Sequence, residues 1–308
     1  MSRENVIGNF PCLPEYIATS SQKENGEWIL MDLIASDIIK TEDILYRTVD
    51  GYELRLDIVR PDPVPDAPMP VVLYLFGSGW AIARRKDEEQ NPAQFLAAHA
   101  GMCVASIDYR LSSQAIFPAQ IADARAAVRW LRTHAKTYSL DPERIGVWGY
   151  SSGGHLVSLL GTAANVSAFD DSKEHQEISC RVQAVFTVSN PVDFLQLGTW
   201  HNDPDSAEAR LIGGPVQQNV DLVRRANPIT YIHPPLPPFH LTHGDQDDIV
   251  LIEQSQMLYH ALVAVGGDVT FLTLPGAGHD LGRSTRYWDT VNHAALTFFQ
   301  KYLRPDKI

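Results

Sequence analysis

Six short apolar runs, at residues 71–76, 102–107, 145–148, 184–188, 239–242 and 269–274, decide most of what this chain can fold into. Each is too brief for a helix; the run at 71–76 is apolar throughout, which marks a strand buried on both faces of a parallel sheet, and those at 102–107 and 184–188 read as buried strands too. Between them lie segments of helical period. One covers about 91–99. Another opens at Pro118 and carries Ile121, Ala124, Val128 and Leu131 on one side. A third presents Leu156, Val157, Leu159, Leu160 and Ala163, a fourth covers 252–265, and the last repeats through Trp288, Val291, Ala295, Phe298 and Tyr302. Strands alternating with helices imply an α/β class built on a mostly parallel, doubly wound sheet. Proline suits the first turn of the second helix, since its missing N–H had no partner there. Asp141-Pro142 is expected to stop that helix.

The start of the pattern differs. Runs at 44–49 and 52–59 flank Asp50-Gly51, a dipeptide that tolerates positive φ at both positions and so predicts a hairpin, an antiparallel entry to the sheet. Residues 60–70 hold Pro61, Pro63, Pro65, Pro68 and Pro70 and read as a surface loop. Residues 1–43, with a weak helical pattern between Trp28 and Ile39, read as an N-terminal arm, and 44–308 as a single domain. Length permits one continuous sheet, and no internal repeat is visible. Residues 165–180 are polar and loop-like. The stretch of about 190–238, with short helical patterns and a proline cluster, is an insertion placed where it can act as a lid.

Composition narrows the partners. The formal charge is −12 and no Lys/Arg cluster stands against it, so neither nucleic acid nor an anionic membrane is expected. Cys12, Cys103 and Cys180 are odd in number, far apart and without a C-x-x-C, which predicts neither disulfides nor a zinc site. The first residues, MSRENVIGNFPCLPEY, lack a long apolar stretch, and no run approaches the ~18 apolar residues of a membrane span. A cytoplasmic protein follows as the expectation.

The chemistry gathers at Gly149-Tyr150-Ser151-Ser152-Gly153, between the 145–148 strand and a helix. A serine on such a sharp strand-to-helix turn is exposed, and the flanking glycines avoid collisions with neighbouring backbone. A serine hydroxyl needs a base to take its proton, and the base needs a carboxylate to orient it. Two further loops after strands supply candidates: His243-Gly244-Asp245-Gln246-Asp247-Asp248, and Gly276-Ala277-Gly278-His279. His279 is favoured because a glycine-rich loop after the last strand can return it over Ser151. His155, one turn into the serine helix, reads as structural.

These loops, with Gly149-Tyr150-Ser151-Ser152-Gly153-Gly154-His155-Leu156 and Asp108-Tyr109-Arg110-Leu111, give the chain from Ile44 to Leu303 a resemblance to the α/β-hydrolases. It is similar to bacterial carboxylesterases of the hormone-sensitive-lipase-like and feruloyl-esterase-like groups. The resemblance implies an eight-stranded, mostly parallel sheet with helices on both faces, a lid-like insertion, the chain order Ser, Asp, His, and no metal or organic cofactor. Its acid belongs to a Gly-x-x-Asp-x-x-Val pattern, which selects Asp247 from Gly244 to Val250, with Asp245 and Asp248 as competitors that also serve turns. It further implies an oxyanion hole from the backbone amides of Ser152, Gly77 and Ser78.

The loop Phe76-Gly77-Ser78-Gly79-Trp80 departs from the His-Gly-Gly-Gly-Trp usual in such relatives. Losing that histidine removes a side chain that helps fix the loop, while the Ser78 hydroxyl could add a donor. Trp80 walls the pocket or packs the loop onto the core, and Tyr150 is a second candidate for touching substrate. The resemblance implies a serine carboxylesterase acting on short-acyl or aromatic-acid small-molecule esters. Alternatives are an arylformamidase-type amidase and a non-catalytic binding homologue. It leaves a homodimer open.

Overall fold

Residues 37–86, 93–171, 175–198, 200–281 and 285–304 are described by the computed structural model; the helical pattern expected between Trp28 and Ile39 lies outside them except for 37–39, which are strand. The chain divides into two units, Met1–Ala35 and Ser36–Ile308, and every described element belongs to the second. The strands are β1 (Asp37–Val49), β2 (Tyr52–Asp62), β3 (Met69–Leu75), β4 (Cys103–Ile107), β5 (Leu140–Tyr150), β6 (Ala184–Val188), β7 (Phe239–Gly244) and β8 (Val269–Leu274). Among the described residues they form one sheet in the order β1-β2-β4-β3-β5-β6-β7-β8. Pairing is antiparallel for β1–β2 and β2–β4 and parallel from there to β8. The apolar runs account for this: every residue of β3, β4 and β6 is buried.

The helices are α1 (Ala93–Ala100), α2 (Ala119–Thr133), α3 (Ala135–Tyr138), α4 (Ser152–Thr162), α5 (Ala207–Ile212), α6 (Val220–Ala226), α7 (Glu253–Ala264) and α8 (Thr285–Leu303). Alternation along β6 shows that both faces of the sheet are covered. Val185 lies against Gly161 of α4, while its neighbour Phe186 packs against Phe298 and Phe299 of α8. On β5, Gly146 and Trp148 also face Phe299. None of the described helices is long and apolar enough to cross a membrane.

Three expectations shift. The first strand begins at Asp37 rather than Ile44; its outer part, DIIKTED, is mostly exposed at the sheet's edge, and Ile38 and Ile39 stand there among charged residues without a strand's alternation. The proline-rich stretch is shorter than 60–70. Pro61 lies in β2 beyond the reach of β4, and Pro70 sits at the irregularity between Met69 and Val71 in the β3–β5 ladder, so neither blocks a needed hydrogen bond. The helical segment also ends before Asp141-Pro142. Ser139 takes a left-handed conformation (φ 57°) that closes α3, and the chain is already extended at Leu140. The hairpin at Asp50-Gly51 forms with φ of 50° and 82°.

Candidate active site

Ser151 sits between β5 and α4 at φ 53°, ψ −121°, a backbone state costly for any side chain and held by what surrounds it. Its N–H donates to Val188 O at 2.8 Å, and its carbonyl accepts from His155 N at 3.1 Å. Gly149 and Gly153 make the turn possible. A Cβ on Gly149 would enter the Gly153 carbonyl, and one on Gly153 would enter the carbonyl of Leu75 on the next strand.

Two loops after β7 and β8 converge on this serine. His279 Nε2 is 3.0 Å from Ser151 Oγ, and His279 Nδ1 is 2.8 Å from Asp247 Oδ2. The other Asp247 oxygen accepts from Ile249 N at 3.0 Å and Val250 N at 2.8 Å, which fixes the carboxylate's orientation. Burial raises the Asp247 pKa, but hydrogen bonds and charge from His243 and His279 outweigh it and hold the carboxyl below its ordinary range. The competitors are elsewhere: Asp245 Oδ1 accepts from Gly276 N at 2.7 Å and ties the two loops together, and Asp248 is exposed. Such a line can move a proton from the hydroxyl to an imidazole whose other nitrogen is already committed to a carboxylate.

The loop after β3 lies beside the serine. Gly77 packs so closely that a Cβ there would fall 2.6 Å from Tyr150 O and 2.8 Å from Ser151 Cβ. The Ser78 N–H donates to Ser152 Oγ at 2.9 Å, and the Ser78 hydroxyl donates to Ile82 O at 2.6 Å. The hydroxyl is therefore a loop brace and not an added donor. Phe76 compensates for the missing histidine in another way. Its ring stacks on Tyr109 at 4.9 Å, and its carbonyl accepts from Tyr109 Oη at 3.2 Å.

Two substrate-contact candidates turn out to be supports. Trp80 is 1% exposed and packs edge-on against His155 and Phe194, because the loop folds its indole inward. Tyr150 is 6% exposed; its hydroxyl donates to His279 O at 2.7 Å and its ring packs on Trp288, so it lies behind the histidine loop. His155 is structural, as expected. It is fully buried, its Nε2 pairs with Ala226 O at 2.7 Å, and burial lowers its pKa to about 4.

Sequence reasoning passed over the group beneath the acid: His243, Ser255, Asn190 and Gln254, all buried. Gln254 Oε1 accepts from Val192 N and Asp193 N, each at 2.8 Å, and its Nε2 donates to Gln196 O at 3.0 Å. Only the adjacency of His243 to the quoted acid loop could have drawn attention to it. Among the described residues no three His, Cys, Asp or Glu side chains converge as metal ligands.

The BD-FAE family model matches residues 56–262, two thirds of the chain, from within β2 to within α7. The chain belongs to the BD-FAE family. This member is 31% identical over 247 residues to Esterase LipC of Mycobacterium tuberculosis, covering 78% of this chain and 60% of that protein. It is 30% identical to Esterase LipQ of the same organism, covering 80% of this chain and 59% of LipQ. It thus spans about three fifths of the length of these two relatives. A solved structure described as a truncated form of carbohydrate esterase from gut microbiota superposes with TM-score 0.77 at 28% identity, over 88% of this chain and 98% of that one. A bifunctional GH43-CE of Bacteroides eggerthii gives TM-score 0.77 at 33% identity, over 86% of this chain and 35% of that one. The fold is that of the α/β-hydrolases.

Proposed function

We propose that this chain is a serine carboxylesterase that hydrolyses short-acyl or aromatic-acid esters through an acyl-enzyme. The observation that carries the reading is His279, whose two ring nitrogens lie 3.0 Å from Ser151 Oγ and 2.8 Å from Asp247 Oδ2. The names of the esterase relatives support it. Ser151 Oγ attacks the ester carbonyl as His279 Nε2 takes its proton, and Asp247 steadies the imidazolium that forms. His279 returns the proton to the leaving alcohol, and water then releases the acid by the same steps. The oxyanion is held by the backbone N–H groups of Ser152, at the start of α4, and of Gly77 and Ser78. Ser78 N–H exchanges its contact with Ser152 Oγ for the developing charge. The same reading sets the protein in the cytoplasm, where the buried free thiols of Cys103 and Cys180 stay reduced.

Turnover of p-nitrophenyl acetate, p-nitrophenyl octanoate, methyl ferulate and N-formylkynurenine, run beside fluorophosphonate labelling, tests the proposal. The acetate and the ferulate are expected to be cleaved faster than the octanoate, with labelling present in the wild type and absent in Ser151→Ala. Cleavage confined to the formyl amide would replace the esterase with an arylformamidase. A wild type that never labels would make the protein a non-catalytic member of its fold.

A further inference from the structure

His243 is the penultimate residue of β7, four residues before Asp247, and has no exposed surface. Its Nε2 lies 2.7 Å from Val250 O and 3.2 Å from Asp247 Oδ2, the oxygen that also faces His279. A carbonyl only accepts, so Nε2 carries a proton; the N–H is bonded to Val250 O, and its positive end lies beside Asp247 Oδ2. Its Nδ1 lies 2.7 Å from Ser255 Oγ on α7. Ser255 Oγ is 3.0 Å from Asn190 Oδ1, which also accepts from Thr187 Oγ1 at 3.0 Å. Where the one Ser255 proton goes to His243, Nδ1 accepts it; where it goes to Asn190, Nδ1 carries a proton of its own, and Nε2 donates in either case. The imidazole is thus fixed at both nitrogens, by α7 on one side and by the loop it braces on the other. Among the described residues the titratable groups facing it are Asp247 and, across that carboxylate, His279.

We propose that His243 is a positioning residue for the ester-cleaving site: its Nε2–H aims Asp247 Oδ2 at His279 and draws off part of that oxygen's proton affinity. The inference rests on the proposed function. With the N–H gone, Oδ2 concentrates its charge on His279 alone and holds the imidazolium more tightly, so the acid limb of the reaction moves to higher pH. The carboxylate is also less well aimed, which slows the plateau.

The test exploits the geometry of the amide side chains. Gln places its nitrogen where His carries Nε2, whereas Asn places its own where His carries Nδ1. The pH profile of kcat/KM for p-nitrophenyl acetate is measured for His243→Gln, His243→Asn and His243→Leu, with fluorophosphonate labelling run in parallel. Asn and Leu are expected to raise the acid limb by about half a pH unit and to lower the plateau about tenfold. Gln keeps the wild-type limb. If Leu does not fold, the comparison of Gln with Asn decides. A limb that stays put or moves down in Asn, or equal behaviour of Gln and Asn, overturns the role of His243 while the esterase reading stands. A wild type that neither turns over ester nor labels overturns the esterase reading itself.

Discussion

The Ser78 amide has two claims on it. In the resting site it donates to Ser152 Oγ at 2.9 Å, and in the proposed reaction it donates to the oxyanion. An acceptor that must be given up in the transition state lowers the worth of the donor, because the new bond is gained only net of the old one. A neutral hydrogen bond of this kind contributes about 0.5–1.5 kcal/mol. Ser152→Ala removes the competitor without touching the Ser152 backbone N–H, so kcat for p-nitrophenyl acetate is expected to rise about 2- to 10-fold. An unchanged or lower kcat in a variant of wild-type stability would show that the Ser78 amide is a structural brace only. Gly77 has no such competing role assigned, and its closeness to Ser151 leaves no room for a side chain.

The segment from Asn190 to Pro238 is clamped where it leaves the sheet and held at two points further along. Gln254, on the first turn of α7, receives the N–H groups of Val192 and Asp193 and reaches Gln196 O. His155 holds Ala226 O, and His201 Nε2 lies 2.8 Å from Ile249 O in the acid loop. Gln254→Ala strands the buried Val192 N–H and the half-buried Asp193 N–H, which costs about 1–3 kcal/mol. Urea unfolding should show that loss, with hydrogen exchange accelerating first at Val192 and Asp193. Uniform exchange rates would mean that other contacts hold the insertion. Periodicity could not reveal this clamp, since nothing local distinguishes a glutamine that serves three distant backbone groups from one on the surface. It did reveal β6 to the residue, because a strand buried on both faces writes its limits in side-chain chemistry. β1 hid half its length because its largely exposed outer part sets Ile38 and Ile39 among charged residues. The site divides in the same way. Ser151, Asp247 and His279 stand on loops whose order and glycines betray them. The burial of Trp80 and Tyr150 and the support from His243 depend on which loops fold over which, and the chain order does not state that.

For the whole molecule, acid is the natural stress, and charge balance alone misjudges it. A protein of formal charge −12 sheds self-repulsion as it is acidified. Two buried histidines act against this. Burial lowers both His155 and His240 from 6.5 to about 4. His240 stacks flat on Phe186 at 4.5 Å, and its Nε2 has no hydrogen-bond partner. The folded pKa lies below the unfolded one, so above about 6.5 neither state is charged and the full stability is present. Between about 6.5 and about 4 the unfolded chain takes up protons that the fold refuses, and stability falls on the order of 3 kcal/mol per histidine. The half-buried carboxyl of Asp108 and the buried one of Asp123, both raised chiefly by desolvation, work in the opposite direction at the acid end of this window. The histidine contribution is isolated by His240→Phe, which keeps a ring between Phe186 and Phe298 and removes the titrating group. Wild type and variant should approach a constant difference in Tm above pH 7 and diverge in favour of the variant as pH falls to 4. Curves that remain parallel over that range would mean that His240 titrates equally in the folded and unfolded chain.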